Sequence, residues 1–282
     1  MSRFIKGMDI GTLSDAQISG ALASFKTLKE NGINYIRISI WSDDSLMQAD
    51  DIEAAGRHKL ENSIRIAKAA SDANIRVVLN FYYCRRKEGK WAQMSLAELE
   101  QEIYDFTYNS MMAFREADVR ISVVQIGSGL SKGILLPEGA EGEFVNQTKF
   151  ACAGIRACRT ADPGVPLMLH LSNGCDNKMY REWFDNYIDH GEDFEYIGLA
   201  YNLDEENTPR KLEHNLNDLA LRFGKELVVL PATGVKAEDA EDLLDRIRRV
   251  VGYNGAGIFF KEDSLFDENG NPTEIMKILK DF

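Results

Sequence analysis

Eight apolar runs, at 4–10, 35–40, 76–83, 121–127, 165–172, 195–201, 226–232 and 255–261, recur along this chain of 282 residues, and a helix-like segment follows each. Most of the runs are continuous Val/Ile/Leu/Phe/Tyr rather than alternating. A strand reads that way when both of its faces are covered, as in a parallel sheet lined by helices. Eight such alternations in a chain of this length predict an α/β fold, a single closed (β/α)8 TIM barrel over 1–282. The rival is an open doubly wound sheet, which usually carries a Gly-rich turn after its first strand. Gly7-Met8-Asp9-Ile10-Gly11 has the wrong spacing for that turn.

The helical segments carry start signals. Ser14-Asp15-Ala16-Gln17 and Ser95-Leu96-Ala97-Glu98 are capping boxes ahead of apolar positions at helical spacing. Further helices fit 50–73, 143–161, 177–190, 208–223, 236–251 and 272–281.

Charge narrows the partners. The balance is 45 acids against 33 bases, a net −12. Such a surface repels polyanions, so nucleic acid is not expected, while a neutral oligosaccharide meets no such barrier. No apolar run approaches the roughly 20 residues of a membrane span, and no membrane partner is expected. Met1 to Gly7 contains no apolar signal segment, so a cytoplasmic location is the expectation. Cys84, Cys152, Cys158 and Cys175 have no metal-ligand spacing and read as reduced, buried thiols. A lone strand-borne histidine, His170, makes a zinc site improbable, and no cofactor is expected.

In a barrel of this kind the chemistry sits at the C-terminal ends of the strands. Those ends carry Asp9, Trp41 above Arg37, Tyr82 and Tyr83, Ser128 and Gly129, His170 with Asn173 and Asp176, Tyr201, Pro231, and Lys261 with Glu262. Aromatic faces stack on sugar rings, and amides, carboxylates and imidazoles bond hydroxyls, so the set suits a carbohydrate. The bland alternative is that strand-end aromatics only fill the barrel mouth. Asp176, at a helix start, also suits an N-cap.

Several strings, in order along nearly the whole chain, carry a resemblance: Phe4 to Ile10, Gly32 to Trp41, Val124-Gln125-Ile126-Gly127 shortly before Gly133 to Gly139, Leu169 to Asn177, Ile197 to Tyr201, Asn215 to Ala220, and Leu265 to Asn271. Together they resemble the endo-β-1,4-galactanases, glycoside hydrolase family 53. The resemblance implies a (β/α)8 barrel and retaining hydrolysis of galactan. It implies a general acid/base Glu in an Asn-Glu pair after Val-Gln-Ile-Gly, where this chain has Ser128-Gly129. It implies a nucleophilic Glu ending the seventh strand, where this chain has Leu230 or Pro231, depending on a one-residue shift of alignment. Other departures run the same way. The family's Asp-Phe-His-Tyr-Ser-Asp is Asn80 to Arg85 here, the second Arg of strand two is Ser39, and an aromatic-rich loop is Asn202 to Asn207. Asp9, Arg37, Trp41, Tyr83, His170, Asn173, Asp176, Tyr201 and Glu262 are retained, and these are the candidate carbohydrate-binding residues.

The expectation is therefore a galactanase-like barrel without the family's catalytic carboxylates, still able to bind a galactan-like glycan weakly. Two alternatives stand beside it: a glycosidase with relocated acids, Glu262 and Glu138 first, or a protein-interaction module on the same scaffold.

Overall fold

Every one of the eight runs is a strand in the computed structural model, which describes residues 4–10, 25–42, 58–87, 89–267 and 269–282. The strands are β1 (Ile5–Asp9), β2 (Tyr35–Trp41), β3 (Arg76–Tyr82), β4 (Val123–Ile126), β5 (Leu167–Leu171), β6 (Tyr196–Asn202), β7 (Glu226–Thr233) and β8 (Gly255–Lys261). Each pairs in parallel with its sequence neighbours, and β8 returns to β1, so the barrel is closed. The helices are α1 (Leu60–Asp72), α2 (Leu96–Glu116), α3 (Phe144–Ala161), α4 (Asn177–Ile188), α5 (Pro209–Phe223), α6 (Ala237–Arg248), the single turn α7 (Glu262–Leu265) and α8 (Glu274–Asp281). The box at Ser14 and the first part of the helix expected at 50–73 lie outside the described residues.

Local chemistry accounts for the helix ends. The Ser95 box forms in full: the Glu98 amide donates to the Ser95 hydroxyl, and the Ser95 amide donates to the Glu98 carboxylate at 2.8 Å. Asp176 caps α4 by accepting from the Met179 amide at 3.0 Å. Gly224, at φ +65°, ends α5 in the left-handed conformation that glycine adopts without strain. Each cap contributes about 1 kcal/mol.

Alternation along the strands sorts side chains into two cores. Ile5, Tyr35, Val78, Val123, Met168, Val228, Leu230 and Phe259 fill the barrel interior. Ile36, Ile38, Ile40, Leu79, Phe81, Val124 and Ile126 point out against the helices. Burial of each such side chain contributes about 1.5–3 kcal/mol. Gly7 is required by this packing, since a Cβ there would lie 2.2 Å from the Phe259 ring. All four thiols are free, and Cys175 alone is only partly buried. No helix of the described residues is long and apolar enough to cross a membrane.

Two loops above the barrel are zipped together. The Leu135 amide bonds the Cys84 carbonyl at 3.1 Å, and the Lys87 amide bonds the Leu136 carbonyl at 3.2 Å. Lys87 Nζ then pairs with Glu138 Oε1 at 2.6 Å. This ties the segment after β3 to the segment after β4.

Candidate functional site

Above the apolar interior lies a buried polar layer, built from inward positions of β1, β2, β3, β4 and β5. Arg37 on β2 donates through Nη1 to Asp9 Oδ2 at 2.8 Å and through Nε to Gln125 Oε1 at 2.9 Å. Gln125 in turn donates to the Gly127 carbonyl at 2.7 Å. Asp9, Arg37 and Gln125 are all buried. A buried ion pair of this kind is tolerable only because further hydrogen bonds satisfy it. On the neighbouring side, Asn80 donates to Ser39 Oγ at 2.8 Å, while its Oδ1 has no partner among the described residues.

His170 joins the ends of two strands that do not touch each other. Its Nδ1 accepts the Gly129 amide proton at 2.9 Å, so the ring proton sits on Nε2 and is donated to the Leu230 carbonyl at 2.8 Å. Burial holds the imidazole neutral, and the nearby positive Arg37 adds to it, against the opposing pull of the Leu230 carbonyl; the pKa falls from 6.5 to about 3. Both nitrogens are thus engaged by backbone. The sequence offers His170 as a carbohydrate-binding residue at the barrel mouth; in the structure its partners are backbone groups of Gly129 and Leu230.

Those two strand ends are the places where the resemblance puts carboxylates. Gly129 has φ +66°, and a Cβ there would lie 2.6 Å from Ser172 Oγ. Leu230 points into the barrel interior and is fully buried. Pro231 lines a cleft above it.

The rim is aromatic on one side. Trp41, half-buried, lies flat on His58, with ring centroids 4.3 Å apart and planes 3° from parallel. Tyr82 leans on the same indole at 5.0 Å. His58 Nδ1 is 3.2 Å from the Ser39 carbonyl. His58 falls within the helix expected at 50–73, and no spacing signal links it to Trp41.

Tyr83 is a correction. The side chain at 82 faces inward, so its neighbour faces out. Tyr83 is buried among Phe81, Phe106 and the helices, and its hydroxyl bonds Thr107 Oγ1 at 2.7 Å. Burial pushes its phenol well above the usual range. Tyr201 is also turned into the outer core, with its hydroxyl on the Asn207 carbonyl at 3.1 Å, although it still borders a cleft. Asn173, at φ +63°, lines that cleft, and Asp176 serves α4 as its cap. Glu262 opens α7 directly after β8. Glu138 is held by Lys87 in the zipped loops.

Two adjoining clefts open over β5 to β8. The first, of about 280 Å³, is bordered by Asn173, Tyr201, Asn202, Asn207, Pro231, Thr233 and Lys261. The second, of about 660 Å³, lies between the ends of β7 and β8 and the starts of α6 and α8, and shares Thr233 and Lys261 with the first. No group of three or more His, Cys, Asp or Glu side chains placed to hold a metal ion occurs among the described residues.

Comparison with known proteins follows the same lines. The sequence profile of glycosyl hydrolase family 53 matches residues 5–254. An arabinogalactan endo-β-1,4-galactanase of Humicola insolens is 26% identical over 223 residues, covering 72% of this chain and 63% of that protein. The arabinogalactan endo-β-1,4-galactanase A of Aspergillus niger is 23% identical over 308 residues, covering 93% and 85%. Among solved structures, the family 53 catalytic domain of Ignisphaera aggregans superposes with a TM-score of 0.86 at 21% identity, covering 98% of this chain and 95% of that one. A fungal β-1,4-galactanase superposes at 0.83 and 18% identity, covering 98% and 99%.

Proposed function

The chain belongs to glycosyl hydrolase family 53, and from that premise we propose that it is a barrel that binds galactan-type glycans without cleaving them. The observation that carries this reading is the His170 bridge. Retaining hydrolysis uses two carboxyl groups about 5–5.5 Å apart across the scissile bond. Here the ends of β4 and β7 carry Ser128-Gly129 and Leu230-Pro231, and an imidazole ties their backbones together. Gly129 has no proton to give and Leu230 no nucleophilic oxygen. Loss of either function costs several powers of ten in rate, and loss of both leaves the two-carboxylate route without its reagents.

The polar floor and the Trp41 rim support retained binding. Asp9 and Arg37 form a preset pair beneath the mouth, and a half-buried indole offers apolar area to a sugar face.

The test is direct. Purified protein incubated with β-1,4-galactan is expected to release no reducing ends above a buffer blank. Gly129→Glu should not restore release, because the left-handed backbone and Ser172 resist any side chain there. Turnover that disappears in Glu262→Gln or Glu138→Gln would replace this reading with one of relocated acids.

Binding should be weak, with a dissociation constant on the order of 1 mM, or about −4 kcal/mol. Trp41→Ala is expected to weaken galactobiose binding by about tenfold, roughly 1.4 kcal/mol, and so push it out of reach of calorimetry. The same variant loses the stack with His58, so its melting point should fall modestly, by the equivalent of about 1 kcal/mol. Should galacto-oligosaccharides at tens of millimolar leave both heat and chemical shifts unchanged, an interaction-module role takes precedence.

A further inference from the structure

We propose that the first of the two clefts over β5 to β8 is a subsite for an acidic sugar, with Lys261 as the group that reads a uronate carboxylate. The inference rests on the glycan-binding reading above and names the ligand class for one part of the mouth. It begins from a contrast of charge. The protein as a whole carries −12, and Asp263 and Glu274 line the second cleft, yet no Asp or Glu borders the first, whose one formal charge is the Lys261 ammonium. Lys261 ends β8 and is exposed, and its ammonium has no ion pair or hydrogen bond among the described residues. It borders both clefts, as does Thr233.

The other polar groups of the cleft are mostly committed. Thr233 Oγ1 donates to Asn202 Oδ1 at 2.8 Å. Asn202 and Asn207 donate through their side chains to Asp204 Oδ2 at 3.1 and 2.9 Å. Asp204 is the nearest carboxylate of this network, and its Oδ1 takes the Glu206 and Asn207 amides at 2.9 and 2.8 Å. Four hydrogen bonds therefore satisfy this carboxylate and hold it ionised, occupied by the loop's own donors. Asn173 is the exception: its carboxamide makes no hydrogen bond among the described residues, and with its left-handed backbone it lines the cleft wall. The cleft thus offers an unpaired ammonium and a free carboxamide, with no carboxylate on its walls. That pair matches a pyranose whose C6 is a carboxylate: the ammonium takes the acid, and the carboxamide takes a ring hydroxyl.

The test uses two probes that differ only at C6, methyl β-D-galactoside and methyl β-D-galacturonide, followed by chemical-shift titration of the full chain. The uronide should bind about fivefold more tightly at low salt, the yield of one exposed ion pair. That advantage should vanish in Lys261→Gln, persist in Lys261→Arg, and shrink at 0.5 M salt on the order expected from a 3–5 Å screening length. Unchanged melting of Lys261→Gln would show that the loss is local. Equal binding of the two probes, or binding of the galactoside alone, overturns the uronate assignment and leaves the neutral-glycan reading intact. Silence from both probes overturns both.

Discussion

His170→Ala is expected to destabilise the protein by about 4 kcal/mol. The variant leaves the Gly129 N–H and the Leu230 carbonyl unbonded in a buried layer, at about 1–3 kcal/mol each, and adds a cavity. The sign of the pH effect follows from the depressed pKa. The folded imidazole titrates near 3, against about 6.5 in an unfolded chain. Above pH 6.5 neither state takes up this proton, and the contribution of His170 is complete. Between 6.5 and 3 the unfolded state alone is protonated, so stability from this group falls by about 1.4 kcal/mol for each unit of pH. Carboxylates titrate in the lower part of the same window, but they do so in any variant. Urea unfolding of the parent and of His170→Gln at pH 7, 6, 5 and 4 isolates the histidine. The parent should lose stability more steeply; parallel slopes would show that His170 is not held neutral.

Arg37→Met should cost a similar amount, about 3–5 kcal/mol, because it strands the Asp9 carboxylate and Gln125 Oε1 in the polar layer. The diagnostic is non-additivity. Asp9→Asn removes the charge that Arg37 answers, so the double variant should be more stable than the two single losses summed would allow, with a coupling of about 1–3 kcal/mol. Additive losses would mean that the two residues stabilise the barrel independently.

The strands and their order were legible because a strand covered on both faces must be apolar throughout, and this one property marks all eight runs. The caps at Ser95 and Asp176 were legible because capping is local: donor and acceptor lie three residues apart. The facing of strand ends was not. Tyr82 and Tyr83 are adjacent, equally aromatic, and on opposite sides of the sheet, so one residue of phase decides which of them meets a ligand. Around Tyr201 the register with β7 shifts after Leu199, which breaks the alternation from which a facing would be read. His58 and Trp41 stack across a segment of chain whose spacing carries no period. Glu138 stood in the sequence as a candidate relocated acid, but its partner Lys87 lies 51 residues away, and nothing local announces the pair. His170 was placed by its strand, whereas its two partners are backbone atoms, which no side-chain pattern can encode.

The cross-barrel layer also bears on the order of assembly. Arg37 reaches Gln125 across 88 residues, Gly129 reaches His170 across 41, and His170 reaches Leu230 across 60. A chain emerging from its N-terminus can form the first of these links early, but His170 keeps a dangling proton until β7 arrives. Contacts so far apart in sequence reward the chain only after long loops have closed. The βα units can therefore gather as partial sheets while the ring remains polar and unsealed at its centre. Leu230 completes the circuit when β7 docks, and the pairing of β8 with β1 then closes the sheet into a barrel.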